Sequence, residues 1–240
     1  MYHAPLKPAD TIDASEVVQS VDPATGSIVW EAPQSDLEAQ ILLVEQSWAS
    51  WAGMSSSFRI ETMRRFANAV RAGEEELASL VSAETGRPLW HTRQEIVSLF
   101  ERVEKSVQAY SERTGQRQSE GALGARTALR HKPHGVLAVI TPHCLPARIP
   151  VDHIVPALLA GNGVLFKPSE KTPATGEILV RFMHEAGVPH EQLQCVIGGP
   201  ATGEALASDL RVNGVLFTGS TRTGRAISRA CADQPGKLIA

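Results

Sequence analysis

Val164-Leu165-Phe166-Lys167-Pro168-Ser169-Glu170, followed by Lys171-Thr172-Pro173, is the stretch on which the fold turns. Gly161-Asn162-Gly163 leads into it as a turn, and Val164–Phe166 then reads as a buried strand. Pro168 has no N–H for a strand ladder, so the strand stops there. Thr172 and Pro173 suit an N-cap and a first helical residue. Lys167, Ser169 and Glu170 therefore fall on a strand-to-helix loop at the carboxyl end of a strand, the edge at which open α/β sheets bind ligands. Lys167 and Glu170 have the chemistry to hydrogen-bond a ribose; a solvated polar loop is the plainer reading.

Downstream and upstream of this stretch, the chain alternates strand and helix. From Gly135, Val136–Ile140 is a β-branched strand ending at Thr141-Pro142, and a helix follows from about Pro150 to Leu159. Ala174–Ala186 is a second helix, Leu193–Ile197 a third strand and Val212–Phe217 a fourth. Lys237–Ala240 is a fifth strand. Repeated βα units of this length predict a parallel, doubly wound, Rossmann-like sheet over 135–240.

Before it, residues 1–20 read as a loose arm and 21–115 as a helical part. Ser35-Asp36-Leu37-Glu38 has the form of a capping box. Behind it Leu37, Ile41, Val44, Trp48 and Trp51 repeat at helical spacing, a stripe expected to pack in the core. Further stripes are Ile60, Met63, Phe66, Val70, then Leu77, Leu80, Val81 ending at Gly86, then Ile96, Leu99, Val103, Val107, Tyr110. Residues 116–134 lack helical periodicity and read either as a protruding hairpin that pairs with another subunit or as a connector.

Two further strand ends run into glycine-bearing helix starts, Gly198–Gly203 and Gly219–Gly224. Such turns let a backbone approach a phosphate and offer free helix N–H groups. Gly219–Gly224 is neither G-x-G-x-x-G nor a P-loop, since Arg225-Ala226 follows it. Its place after the fourth strand, beside the Lys167 loop, favours a phosphate loop in which Ser220 offers a hydroxyl and an N–H.

Composition excludes some classes. The 240 residues are 42% hydrophobic and 20% charged, as in ordinary globular proteins. Lys and Arg number 23 against 26 Asp and Glu, a net charge of −3, which makes no electrostatic case for nucleic acid or an anionic membrane. No apolar run approaches the ~20 residues of a membrane span. Cys144, Cys195 and Cys231 are widely spaced and odd in number, which predicts free thiols, a cytoplasmic location and no metal site. His143 and His153 have no carboxylate or metal partner at a readable spacing.

Phe166-Lys167-Pro168-Ser169-Glu170, Gly198-Gly199 with Gly203, and Phe217-Thr218-Gly219-Ser220 with Gly224 resemble the cofactor-binding series of the aldehyde dehydrogenase superfamily. Supporting segments are Asp22–Gly26, Glu84–Pro88, Leu129–Val139 and His153–Asn162, and the likeness is closest to the succinylglutamate semialdehyde branch of arginine catabolism. The resemblance implies that Lys167 and Glu170 bind the adenosine ribose, with Ser169 beside them, and that Ser220 meets the pyrophosphate. It places the backbone at Thr141 and Pro142, the glycines Gly199, Gly203, Gly219 and Gly224, and Phe217, Thr218 and Thr221 along the same nucleotide. A glutamate at 170 implies NAD rather than NADP, and the 116–134 segment implies a homo-oligomer.

Two departures accompany the likeness. The family's general-base L-E-x-G-G and nucleophile G-Q-x-C motifs do not occur in this sequence, which resembles the N-terminal half of family members. The expectation is a cofactor platform that is inactive alone, is completed by a chain carrying the catalytic half, or has become a non-enzymatic subunit. Also, Pro142-His143-Cys144-Leu145-Pro146 puts Cys144 where the family has an oxyanion-binding asparagine, and a thiol is a weak donor.

Overall fold

The computed structural model describes residues 17–115, 117–120 and 126–240. The chain opens with an antiparallel ribbon of β1 (Val17–Val21) and β2 (Ile28–Pro33). Thus 17–20, read from sequence as part of an arm, is a strand, and 1–16 lie outside the described residues. Four helices follow: α1 (Leu37–Gly53), α2 (Ser56–Ala72), α3 (Glu74–Thr85) and α4 (Leu89–Arg113). Then β3 (Arg117–Glu120) pairs antiparallel with β4 (Arg126–Leu129).

The remainder is β5 (Val136–Ile140), α5 (Arg148–Leu159), β6 (Gly163–Lys167), α6 (Pro173–Glu185), β7 (Leu193–Cys195), α7 (Pro200–Ser208), β8 (Gly214–Phe217), α8 (Thr221–Ala232) and β9 (Leu238–Ile239). The five strands form one parallel sheet in the order β7-β6-β5-β8-β9. The predicted α/β class and doubly wound sheet are what the chain adopts.

Alternation along β5 shows why. Leu137 and Val139 enter one core with Val164 and Phe166 of β6 and side chains of α2–α6. Val136, Ala138 and Ile140 enter a second core with Leu165 and side chains of α1, α7 and α8. A strand buried on both faces has no polar side, so β5 and β6 read as continuous apolar runs. The predicted helical layer is therefore split: α1 lays Leu37, Ile41 and Val44 on the face of α7 and α8 and carries Trp51 into the first core, while α2–α4 lie with α5 and α6. Its Trp stripe packs as expected, with Trp51 buried and its indole N–H donating to Leu158 O at 2.8 Å.

Some helix starts are capped by the adjacent residue and two, those of α5 and α6, by side chains from afar. Asp36, not Ser35, caps α1, accepting from Ala39 N at 3.0 Å. Ser35 instead ties the chain to the end of the third sheet strand, its Oγ accepting from Ile197 N at 2.9 Å. Thr172 is the N-cap residue of α6, with Pro173 in the first turn, but its hydroxyl makes no cap bond. The cap is the buried carboxylate of Glu84 on α3, which accepts from Ala174 N at 3.0 Å, Thr175 N at 2.8 Å and Thr175 Oγ1 at 2.6 Å. Glu95 on α4 does the same for α5, accepting from Ala147 N and Arg148 N, each at 3.0 Å. Its other oxygen pairs with Arg87 at 2.5 Å, and Arg87 also donates to Cys144 O at 3.1 Å. Both loops that lead into these helices lie at the carboxyl edge of the sheet, so α3 and α4 fix the edge that matters for binding.

Candidate dinucleotide-binding cleft

The strand order reverses between β5 and β8. The helices after them leave toward opposite faces, α5 into the first core and α8 into the second, so the loops at that point part. A cleft of about 620 Å³ opens there. Ile140, Thr141, Pro142 and His143 line it after β5; Lys167, Ser169, Glu170 and Lys171 after β6; Phe217, Thr218, Gly219 and Ser220 after β8. Pro200, Gly203, Glu204, Arg222 and Thr223 close the rest, from α7 and the first turn of α8.

The loop after β6 is not the solvated loop that was one of its readings. Lys167 and Ser169 are buried, and only Glu170 and Lys171 are exposed. Lys167 is 4% exposed. Its ammonium donates to Pro168 O at 3.0 Å, the one hydrogen bond it makes among the described residues, so two of its three donors face the cleft. Burial holds its pKa below the ordinary lysine range, and the Glu170 carboxylate opposes that shift. Gly203 lies beneath the lysine stem; a Cβ there would stand 3.6 Å from Lys167 Cδ.

Ser220 is the N-cap of α8. Its Oγ accepts from Thr223 N at 3.2 Å and pairs with Thr223 Oγ1 at 2.9 Å. Gly219 has a packing reason, since a Cβ there would meet the Phe217 ring at 2.5 Å, whereas one on Gly224 would make an ordinary contact with that ring at 3.4 Å. Thr218 is tied across the switch point, its Oγ1 lying 2.8 Å from His153 Nε2 on α5. Burial lowers the His153 pKa, with Asp152 opposing.

Of the sequence-derived residues, Thr141, Pro142, Lys167, Ser169, Glu170, Gly203, Phe217, Thr218, Gly219 and Ser220 meet in this one cleft. Gly199, the N-cap residue of α7, does not line it, nor do Thr221 and Gly224 on α8. Cys144 is exposed outside the lining, whereas its neighbour His143 lies within it. Sequence reasoning omitted His143, Lys171, Glu204, Arg222 and Thr223. Arg222 and Thr223 were findable inside the G-x-x-x-x-G loop; the His153–Thr218 contact, 65 residues apart, had no local signal.

These residues fit a nicotinamide dinucleotide. A buried cation with spare donors, an exposed carboxylate on the same loop and the N-terminus of a 12-residue helix are what a ribose and a pyrophosphate require.

Residues 11–240 match the model of the aldehyde dehydrogenase family, and the chain belongs to that family. It is 53% identical, over 226 residues, to N-succinylglutamate 5-semialdehyde dehydrogenase of Sphingopyxis alaskensis, a match covering 94% of this chain and 47% of that protein. Among solved structures it is similar to an NAD-dependent benzaldehyde dehydrogenase from Corynebacterium glutamicum (TM-score 0.88, 26% identity, 95% of this chain and 51% of that one). It is equally similar to an NADP-dependent enzyme of E. coli (TM-score 0.88, 27% identity, 95% of this chain and 48% of that one). The chain thus spans about half the length of the relatives it matches.

Among the described residues no helix is long and apolar enough to cross a membrane, and no cluster of His, Cys, Asp and Glu could hold a metal ion.

Proposed function

We propose that this chain is the cofactor-binding half of a dehydrogenase that oxidises a succinylglutamate-type semialdehyde, with NAD as the preferred nucleotide. The observation that carries the reading is the convergence of Lys167, Glu170 and the Ser220 helix start on one cleft at the switch point. The bound nucleotide supplies a hydride acceptor. The spare Lys167 donors and the Glu170 carboxylate hold the adenosine ribose hydroxyls. Glu170 also sets a negative charge where NADP would bring its 2′-phosphate, which favours NAD. The first N–H groups of α8 and the Ser220 hydroxyl face the pyrophosphate.

The chain by itself turns over no aldehyde in this reading. Acyl transfer in the family needs a thiolate and a general base. Here burial pushes the Cys195 and Cys231 thiols up, away from thiolate formation, and Cys144 lies outside the cleft lining. A second chain or segment carrying the thiolate completes the site. The β3–β4 hairpin, with Leu129 exposed at its end, joins copies of the chain into an oligomer in the cytoplasm.

Calorimetric titration with NAD and NADP tests the platform. Saturable NAD binding, tighter than NADP and weakened by both Lys167→Ala and Ser220→Ala, is the expected result. A folded chain that binds neither nucleotide at millimolar concentration overturns the reading and leaves a non-enzymatic interaction subunit. Sedimentation at micromolar concentration tests the oligomer, which a monodisperse monomer contradicts.

A further inference from the structure

Burial lowers the pKa of two lysines among the described residues, Lys167 and Lys237, but their ammonium groups are used differently. Lys237 donates to Ala207 O at 2.7 Å, Asp209 O at 2.8 Å and Gln234 Oε1 at 2.8 Å. All three of its N–H groups are taken, and it does not line the cleft. Lys167 does line the cleft and donates to Pro168 O alone, at 3.0 Å. Lys105 shows the ordinary surface alternative, paired with Glu101 at 2.9 Å, whereas Lys167 has no ion-pair partner among the described residues. Once deprotonated, the Lys167 amine keeps its hydrogen bond to Pro168 O and has its lone pair left over.

A desolvated amine with a free lone pair is a nucleophile toward carbonyl carbon. The cleft supplies what such an attack needs. Ile140, Phe217, Ile227 and Ala230 give it apolar walls, which disfavour the charged ammonium. Glu170 and Glu204 line it as well, two carboxylates able to carry protons between nitrogen and oxygen. Ser220 and Arg222, at the start of α8, line the same space and offer a hydroxyl, helix N–H groups and a cation to an anionic group.

We propose that Lys167 is a carbonyl-reactive amine that takes up phosphate-bearing aldehydes as a reversible imine in the nucleotide-free cleft. The inference rests on the placing of Lys167 in the nucleotide cleft described above and adds a second chemistry to that residue. The lone pair of Nζ attacks the carbonyl carbon, and the C=O electron pair moves to oxygen. A proton passes from nitrogen to that oxygen, the hydroxyl of the carbinolamine takes up a further proton and leaves as water, and the C=N bond forms. No oxidant or reductant takes part, and hydrolysis reverses the step. Imine and dinucleotide use the same lysine and the same helix start, so each excludes the other.

The test is incubation of the full chain with pyridoxal phosphate, trapping with borohydride and peptide mapping by mass spectrometry. Saturable labelling of Lys167 ahead of Lys171, the exposed lysine that lines the same cleft, is expected. Pyridoxal without its phosphate should label Lys167 far more slowly. The labelling rate should climb with pH and level off below the ordinary lysine value of about 10.4. NAD at ten times its dissociation constant should slow labelling about tenfold, the competition expected of one shared site. Lys167→Met should abolish the saturable adduct; if that variant does not fold, the peptide map of the native chain decides alone. Labelling that favours Lys171 or spreads over the exposed lysines, or that is equal with pyridoxal, overturns the proposal. Labelling of Lys167 that bound NAD leaves unchanged overturns the shared site. A chain that binds no NAD refutes the cofactor platform, and the map without nucleotide still decides whether Lys167 forms the imine.

Discussion

Replacing Lys167 with methionine should stabilise the free protein while damaging its cleft. Lys167 as a whole is 4% exposed, and Pro168 O is the one acceptor of its ammonium among the described residues. Two donors lack a protein partner, and each unmatched buried polar group costs about 1–3 kcal/mol. Water in the cleft relieves part of this, and the Glu170 charge relieves some more. Methionine fills the same channel over Gly203 without a charge to desolvate, so Lys167→Met should gain about 1–2 kcal/mol in urea unfolding at neutral pH. NAD affinity should fall at least tenfold, the value of roughly one charge-assisted hydrogen bond. The pH dependence follows in sign. Burial lowers the folded-state pKa of Lys167, so folding penalises the cation below that pKa, and the penalty disappears as pH rises from it toward the unfolded value. The advantage of methionine should therefore be largest near neutrality and fade in alkali. A variant that unfolds more easily than the native chain, or binds NAD equally well, would refute this account of the site.

Three further substitutions probe the supports of the cleft. Glu84→Ala strips three hydrogen bonds from the first turn of α6 and should cost about 3–5 kcal/mol, whereas Glu84→Gln, which keeps an acceptor oxygen, should cost clearly less; equal losses in urea unfolding would contradict the capping role. Gly219→Ala drives a Cβ against the Phe217 ring and should destabilise by about 1–3 kcal/mol and weaken NAD, and unchanged melting and affinity would exclude that contact. For His153, burial lowers the folded-state pKa, so its contribution is present above the unfolded pKa and is lost as pH falls through the folded one. Below about pH 6.5 the native chain should therefore lose stability relative to His153→Asn, by up to ~1.4 kcal/mol per pH unit, and parallel pH profiles of the two would remove His153 as the acid-sensitive tie.

The parts of this architecture that were legible are those governed by local periodicity. β5 and β6 announce themselves because both faces are buried, which leaves no polar alternation, and the four helical stripes follow from one apolar face each. Which face of the sheet a helix covers was not legible. The Leu37–Trp51 stripe suits either core equally well, and in the structure it divides: Leu37, Ile41 and Val44 enter the second core and Trp51 the first, with Val44 seated over Gly163, where a Cβ would strike it at 2.6 Å. Loop residues were legible as candidates but their burial was not: Lys167 and Glu170 stand three positions apart in one polar-looking loop, yet one is enclosed and the other solvated.

The same limit applies to the helix caps, and here it bears on function. Ser35-Asp36-Leu37-Glu38 promised a local cap and Thr172 another, yet the acceptors that matter for the cleft are Glu84 and Glu95, separated from their donors by 90 and 52 residues. Each sits in a helix whose own stripe predicts burial of that face, so each reads in sequence as an acid placed awkwardly close to a core. The structure resolves the conflict by giving each carboxylate the free N–H groups of a helix start, which a buried acid needs and which a buried helix end also needs. Because those two helices begin where the loops of Pro142 and Lys167 end, the acids transmit the rigidity of α3 and α4 to the edge of the cleft. A helical layer with little chemistry of its own is thereby what holds the binding loops in register.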